Sequence, residues 1–262
     1  TQILWVYWKF ILRAKFNKRI EYYIKKLIPK KYQFEKRIKR SIKKLDEPEI
    51  FIINQLIENG TDSIDVGVYR GVHSYEMAKY SKNVHSFEPN PIIFKELKKY
   101  LPRIIKNINL YNYALSDKNE KKKLKIPLRD SNMNKSNYEE YYKMGLATIH
   151  EKNIFKNFDE FEINCKRLDG FHFENKISFI KIDVEGHELQ VINGAQNLIE
   201  KFKPNLMVEI EEKHSKNSFK QSISSICSLG YQAFCFKDRK LVLLDNIDNP
   251  KQFNNFIFKS LF

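Results

Sequence analysis

A chain of 262 residues with 42% hydrophobic content can bury a core, which excludes a disordered polymer and suits one large domain with an appendage. The net charge of +15 is uneven: residues 1–45 hold fifteen Lys and Arg against Glu21 and Glu35, so +13 lies there and only +2 in the remainder. Cys165, Cys227 and Cys235 show no C-x-x-C or metal-ligand spacing, which excludes a disulfide scaffold and predicts buried free thiols in a reducing cytoplasm.

The chain starts at Thr1 rather than Met, which leaves room for residues upstream. Gln2 to Leu12 is nearly uncharged and carries Trp5, Tyr7, Trp8 and Phe10. That run is too short to cross a bilayer, which takes about 20 apolar residues. It also lacks the basic n-region and small-residue cleavage site of a signal peptide. Phe34, Ile38, Ile42 and Leu45 recur at helical spacing among lysines, which predicts an amphipathic helix. Its stripe can pack on the domain, or the segment can lie on an anionic membrane surface, since Trp and Phe beside Lys and Arg suit the headgroup boundary. Residues 1–47 are thus read as a basic helical segment and 48–262 as the main domain.

Asp46 and Pro48 signal a helix over Glu49 to Glu58, stopped by Gly60. Ser63 to Val66 reads as a buried strand closed by Gly67. Gly71 then opens a helical run from His73 to Tyr80. Strand, glycine turn and helix let backbone N–H groups approach a ligand closely. A second strand, Val84 to Phe87, ends on Glu88, about 20 positions after the turn, where nucleotide-binding units place a ribose-hydroxyl acceptor. The nicotinamide pattern G-x-G-x-x-G fails, because Asp65, Gly67 and Arg70 hold its three glycine positions. An acidic residue two before Gly67 suits a ligand with a positive amine, which points to S-adenosylmethionine rather than a pyrophosphate.

Asn90 is expected to cap a helix over Ile92 to Tyr100. Ile108 to Leu115 reads as a third strand, and Lys121 to Ile126 as an extra edge strand. Residues 127–160 form an irregular insertion, a candidate lid or substrate loop, including Tyr138 to Tyr142 and Ala147 to His150. Phe161 to Leu168 and Ile177 to Ile182 are further strands. A helix over Glu188 to Ile199, a strand over Leu206 to Ile210 and a helix over Ser218 to Leu229 follow. Ala233 to Phe236 and Leu241 to Leu244 read as an edge hairpin. Strands alternating with helices predict an α/β three-layer sheet.

Phe179-Ile180-Lys181-Ile182-Asp183-Val184-Glu185-Gly186-His187-Glu188 makes a family resemblance specific. With Ile64 to Gly67, Gly71, Phe87 to Pro91, Ala114 to Asp117, Leu168-Asp169, Gly194-Ala195 and Pro204 to Glu209, the chain resembles the FkbM-type family of S-adenosylmethionine-dependent methyltransferases. The matching pieces cover roughly residues 50 to 215. Val68 and Tyr69 depart from the small or polar residues that the family has between the two glycines. The resemblance implies a Rossmann-like class I methyltransferase sheet, seven-stranded with one antiparallel strand. It also implies O-methylation of a hydroxyl, on a glycan or a glycosylated or lipid-linked small molecule.

Ligands of open α/β sheets bind at the carboxyl ends of strands. The expected cofactor residues are Asp65, Gly67, Gly71, Glu88, Pro89, Asn90, Ala114 and Ser116. Asp65 would favour the cofactor's ammonium, Glu88 would accept from both ribose hydroxyls, and Pro89 and Asn90 would wall the adenine. Lys181, Asp183, Glu185 and His187 are the expected catalytic residues, with Asp183 positioning the acceptor hydroxyl or the methionine amine and His187 as a candidate base; a purely structural Lys181–Asp183 ion pair that fixes the loop is the alternative. The sequence does not require a metal. A nucleic-acid methyltransferase is the first alternative, invited by the basic N-terminus. Base amino-methylation usually carries Asn/Asp-Pro-Pro-aromatic where this chain has Asp183-Val184-Glu185-Gly186, which argues against it. The second alternative, a non-catalytic membrane-surface module, is opposed by the intact acidic and glycine positions. A cytoplasmic location, peripheral on the inner membrane face, is the corresponding expectation.

Overall fold

The computed structural model describes residues 27–44, 47–128, 142–149, 157–211 and 219–261. Trp5, Trp8, Phe10, Tyr138 to Tyr141, His150 and Ser218 lie outside the described residues. Eight strands form the main sheet, in the order β10-β9-β11-β8-β7-β1-β2-β3. These are β1 (Asp62–Val66), β2 (Val84–Phe87), β3 (Ile108–Tyr111), β7 (Ile177–Ile182), β8 (Asn205–Glu209), β9 (Tyr231–Lys237), β10 (Lys240–Leu243) and β11 (Asn255–Ser260). β3, β2, β1, β7 and β8 are mutually parallel. β1, β2 and β7 are buried along their whole length, as parallel strands covered on both faces must be.

Two corrections concern strand count. β11, not foreseen, inserts antiparallel between β8 and β9 and buries Phe256, Ile257 and Phe258. The predicted hairpin at the edge is present, with β10 antiparallel to β9, so eight strands replace the expected seven and two run against the rest. The hairpin turn has Asp238 at φ 49° and Arg239 at φ 61°, the left-handed pair whose twist matches paired strands.

The expected third strand, Ile108 to Leu115, is broken. Its first half is β3, and Ala114–Leu115 is β4, which joins a separate three-stranded sheet with β5 (Glu120–Pro127) and β6 (Phe158–Lys166), in the order β4-β6-β5. Asn112 turns the chain by donating to the carbonyls of Glu88 and Pro89. The lysine-rich strand was rightly placed at an edge, but of this second sheet. There Lys121 and Lys123 pair with Glu162 and Glu160 in solvent while Leu124 and Ile126 are buried.

Helices cover both faces of the main sheet. One face carries α5 (Glu188–Asn193), α6 (Gln196–Phe202) and α7 (Phe219–Cys227), which supply Val191, Ile199 and Ile226 to the core. The other carries α1 (Lys30–Lys43), α2 (Ile53–Leu56), α3 (Val72–Met77) and α4 (Pro91–Tyr100). A single helix over 188–199 was expected. It breaks at Gly194, where a Cβ would lie 2.0 Å from the Ser116 carbonyl oxygen. The helix expected over 49–58 is a 3-10 turn, Pro48–Ile52, followed by the single turn of α2. Asn90 caps α4 as expected, accepting from the N–H groups of Ile92 and Ile93. Phe34 and Ile38 of α1 are buried against Val68, Leu97 and Leu101, so the described part of the basic segment packs on the domain.

Cys165 is buried in the second sheet and Cys235 in the main one. Burial pushes both thiols up to about 11. Among the described residues, no helix is long and apolar enough to cross a membrane.

Candidate active site

β1, β2, β7 and β8 end side by side, and their loops surround a cleft of about 250 Å³. β1 ends in a turn that only glycine can make. Gly67 has φ 85°, and a Cβ there would lie 1.8 Å from the Asp183 carbonyl oxygen. The β1 and β7 loops therefore touch backbone to backbone at this residue.

Glu88, at the end of β2, is buried, and both of its oxygens accept backbone N–H groups. Oε2 takes Tyr69 N–H at 2.8 Å and Oε1 takes Asn90 N–H at 2.9 Å. Burial raises the carboxyl to about 7, with these two amides pulling the other way. Tyr69 donates from a left-handed backbone, φ 47°, so the turn accepts strain to make this contact. Pro89, Ile93, Tyr113 and Leu115 form apolar walls beside Glu88.

The β7 side is charged. Lys181 Nζ lies 2.9 Å from Asp183 Oδ2 and 3.4 Å from the Gly67 carbonyl oxygen. The lysine side chain is 3% exposed and the aspartate 29%. Burial works against the lysine's charge, but Asp183, Asp65 and Glu47 outweigh it and hold its pKa above the ordinary value. Burial likewise opposes ionisation of Asp183, and Lys181 reverses that, leaving the carboxyl below its usual range. Glu209, at the end of β8, is pushed up to about 10 by burial and by the neighbouring Asp183. Ligand atoms of Asp183, Glu185 and Glu209 all lie within 4.8 Å of one another. Such oxygen donors suit a hard divalent cation, although Lys181 already supplies a positive charge there.

Several predicted residues meet in this cleft: Gly67, Glu88, Pro89, Ala114, Asp183, Glu185 and His187. Lys181 lines an adjoining lobe. Others support it from outside the lining. Asp65 is fully buried beneath the turn, where Oδ2 accepts from Ser74 and Oδ1 has no partner among the described residues. Gly71, φ 75°, packs against Leu101 at the start of α3. Asn90 caps α4, and Ser116 Oγ lies 2.9 Å from His187 Nε2. That contact turns one ring nitrogen of the candidate base toward Ser116.

Sequence reasoning missed Glu47, His73 and Tyr69 as site residues. Glu209 was legible only as one more acid at a strand end. Part of the irregular insertion does cover the cleft: Met144, Gly145, Ala147 and Ile149 line it, and Thr148 Oγ1 donates to the Glu185 carbonyl at 3.0 Å.

A family model described as the methyltransferase FkbM domain matches residues 65–233. No curated protein matches the chain. Among solved structures, the fold is similar to a methyltransferase FkbM from Methylobacillus flagellatus KT, at 16% identity and TM-score 0.48; the match covers 77% of this chain but only 44% of that one. It is also similar to an rRNA methylase from Streptococcus thermophilus, at 8% identity and TM-score 0.44, covering 82% of this chain and 95% of that. A TehB-like SAM-dependent methyltransferase from Corynebacterium glutamicum ATCC 13032 Kitasato matches at 10% identity and TM-score 0.45, covering 88% and 97%.

Proposed function

The chain belongs to the FkbM methyltransferase family, and from that premise we propose that it methylates a hydroxyl of a glycan, or of a glycosylated or lipid-linked small molecule, using S-adenosylmethionine. The observation that carries the donor reading is Glu88. Its carboxylate is fixed by two backbone amides at the end of β2, beside the Gly67 turn and among apolar walls. That donor set fits a ribose with an adjoining flat base, and the carboxylates of Asp183 and Glu185 fit a positively charged neighbour. When bound, S-adenosylmethionine supplies a methyl group already activated on a sulfonium.

The protein's own task is alignment and proton removal. Asp183 is held ionised by Lys181 and stands in the cleft beside Glu185 and His187. It would orient the acceptor hydroxyl and accept its proton. Glu209, pushed up by burial and by Asp183, favours its neutral form and so limits the repulsion among the three acids. The strap of residues 144–149 adds Met144, Gly145, Ala147 and Ile149 to the lining of the cleft.

The basic segment supports placement at an anionic membrane face. α1 turns Lys30, Lys36, Lys39, Arg40 and Lys43 to solvent, and Leu27 and Tyr32 are exposed beside them. Each cation near such a surface adds about 1 kcal/mol, screened by salt. Co-sedimentation with phosphatidylserine vesicles should be strong at low salt and weak at high salt. Equal recovery with neutral vesicles removes this part of the reading.

The test of the acceptor is mass spectrometry of cell-envelope glycans with and without the gene. Loss of one methyl group from a glycan is expected. Unchanged glycans, with a methylated nucleoside missing from total RNA, would overturn it in favour of the nucleic-acid alternative.

A further inference from the structure

The cleft has a second lobe, of about 170 Å³, between the Gly67 turn and the C-terminal end of α1. Gly67, Tyr69, Glu47 and Asp183 line both lobes, so the two adjoin at the Gly67 turn. The second lobe differs in chemistry. It brings together Glu47, Arg70, His73, Lys181 and Asp183, which are groups of both signs. The first lobe pairs its carboxylates with apolar walls.

Glu47 comes from the stretch between α1 and the 3-10 turn at Pro48, and lies outside the matched residues 65–233. Its Oε2 is 3.1 Å from Nε2 of His73, which is buried at the start of α3. Burial alone would raise the Glu47 carboxyl; the nearby imidazole of His73 outweighs it and leaves the group below its usual range. The glutamate side chain is still 47% exposed. Asp183, by contrast, is already engaged by Lys181 and Glu209. Glu47 is therefore the carboxylate of this lobe with capacity to spare.

A donor of the proposed class has two unlike ends. Its nucleoside is nearly neutral, and its other end is an amino acid with an ammonium and a carboxylate. With the ribose on Glu88, that end extends past Gly67 into a lobe that offers both signs. We infer that the second lobe binds the amino-acid end of the methyl donor, with Glu47, steadied by His73, receiving its ammonium. This rests on the donor reading above. It also makes the segment that precedes the family's domain part of the binding site.

The test uses the full chain and two ligands that share a nucleoside, S-adenosylhomocysteine and 5′-methylthioadenosine. The second lacks the amino-acid end. In calorimetry, Glu47→Gln should weaken S-adenosylhomocysteine about tenfold, the loss of one charge-assisted bond, and leave 5′-methylthioadenosine within about twofold. Glu88→Ala should weaken both ligands about tenfold. If Glu47→Gln binds S-adenosylhomocysteine like the parent, or loses both ligands equally, the inference fails while the donor reading stands. If the parent binds neither ligand, the donor reading fails and takes the inference with it.

Discussion

Glu88 and Asp183 stand at the ends of strands two apart in one sheet, and the fold keeps each carboxylate by different means. Glu88 is held by two backbone N–H groups, with Lys181 only a distant influence. Asp183 is held by Lys181, itself almost wholly buried, beside Glu209, whose carboxyl burial pushes toward its neutral form. Backbone amides are fixed by the turn that carries them, so the Glu88 half is organised before any ligand arrives. The Asp183 half is a balance of charges, and removing one member leaves another uncompensated. Binding of a neutral sugar suits the first arrangement, and handling of charge and protons suits the second.

The two halves meet at Gly67, so the sharpest way to break the comparison is there. Gly67→Ala forces a Cβ into the Asp183 carbonyl from a left-handed backbone. Strain plus overlap should cost about 4 kcal/mol, read as a fall in the urea midpoint. A loss below 1 kcal/mol would mean that the loops are not in contact. Next comes Lys181→Met, expected to cost about 3 kcal/mol, at the low end for a broken buried pair because Asp183 is partly exposed. Adding Asp183→Asn should restore part of that loss, and no restoration would show that the lysine acts by packing alone.

Asp183→Asn by itself leaves Lys181 without its carboxylate and should lose stability, yet still fold and bind 5′-methylthioadenosine. Its methyl incorporation into envelope extract should drop about a hundredfold if the carboxylate takes the hydroxyl proton. Full incorporation would remove it from the mechanism. The smallest effect is one of pH. Glu188 lies at the start of α5, accepts from Gly186 N–H at 2.9 Å, and is raised by burial from 4.5 to about 7. The folded state then holds a proton that the unfolded chain has released. This contribution is present below about pH 4.5 and is lost as pH rises through about 7. Between pH 5 and 8 the parent should lose about 2.5 kcal/mol more than Glu188→Gln. Parallel stability curves would place that proton elsewhere.

The Glu88 half was largely legible in the sequence because it is local. A strand, a glycine, a second glycine and an acid about 20 positions on are bonded within one βαβ unit. The Asp183 motif was legible for the same reason, with Lys181 and Asp183 two residues apart on one strand. Glu47 and His73 were not, since neither belongs to a motif and only packing of the linker on α3 brings them together. β11 was missed although Phe256-Ile257-Phe258 is an apolar run, because its place between β8 and β9 depends on a long return of the chain. The break at Asn112 was hidden by side-chain bonds to the β2 loop, and the break at Gly194 by a carbonyl from another sheet.

The two buried cysteines give each sheet its own chemical clock. A thiol pushed up to about 11 is almost entirely protonated at neutral pH, and a buried one is also out of reach. Alkylation of Cys165 therefore waits for the three-stranded sheet to open, and that of Cys235 for the flank of the eight-stranded sheet. Mass-resolved labelling over time reads the two openings separately in one sample. If donor binding fastens the strap of residues 144–149, the Cys165 clock slows while the Cys235 clock keeps its pace.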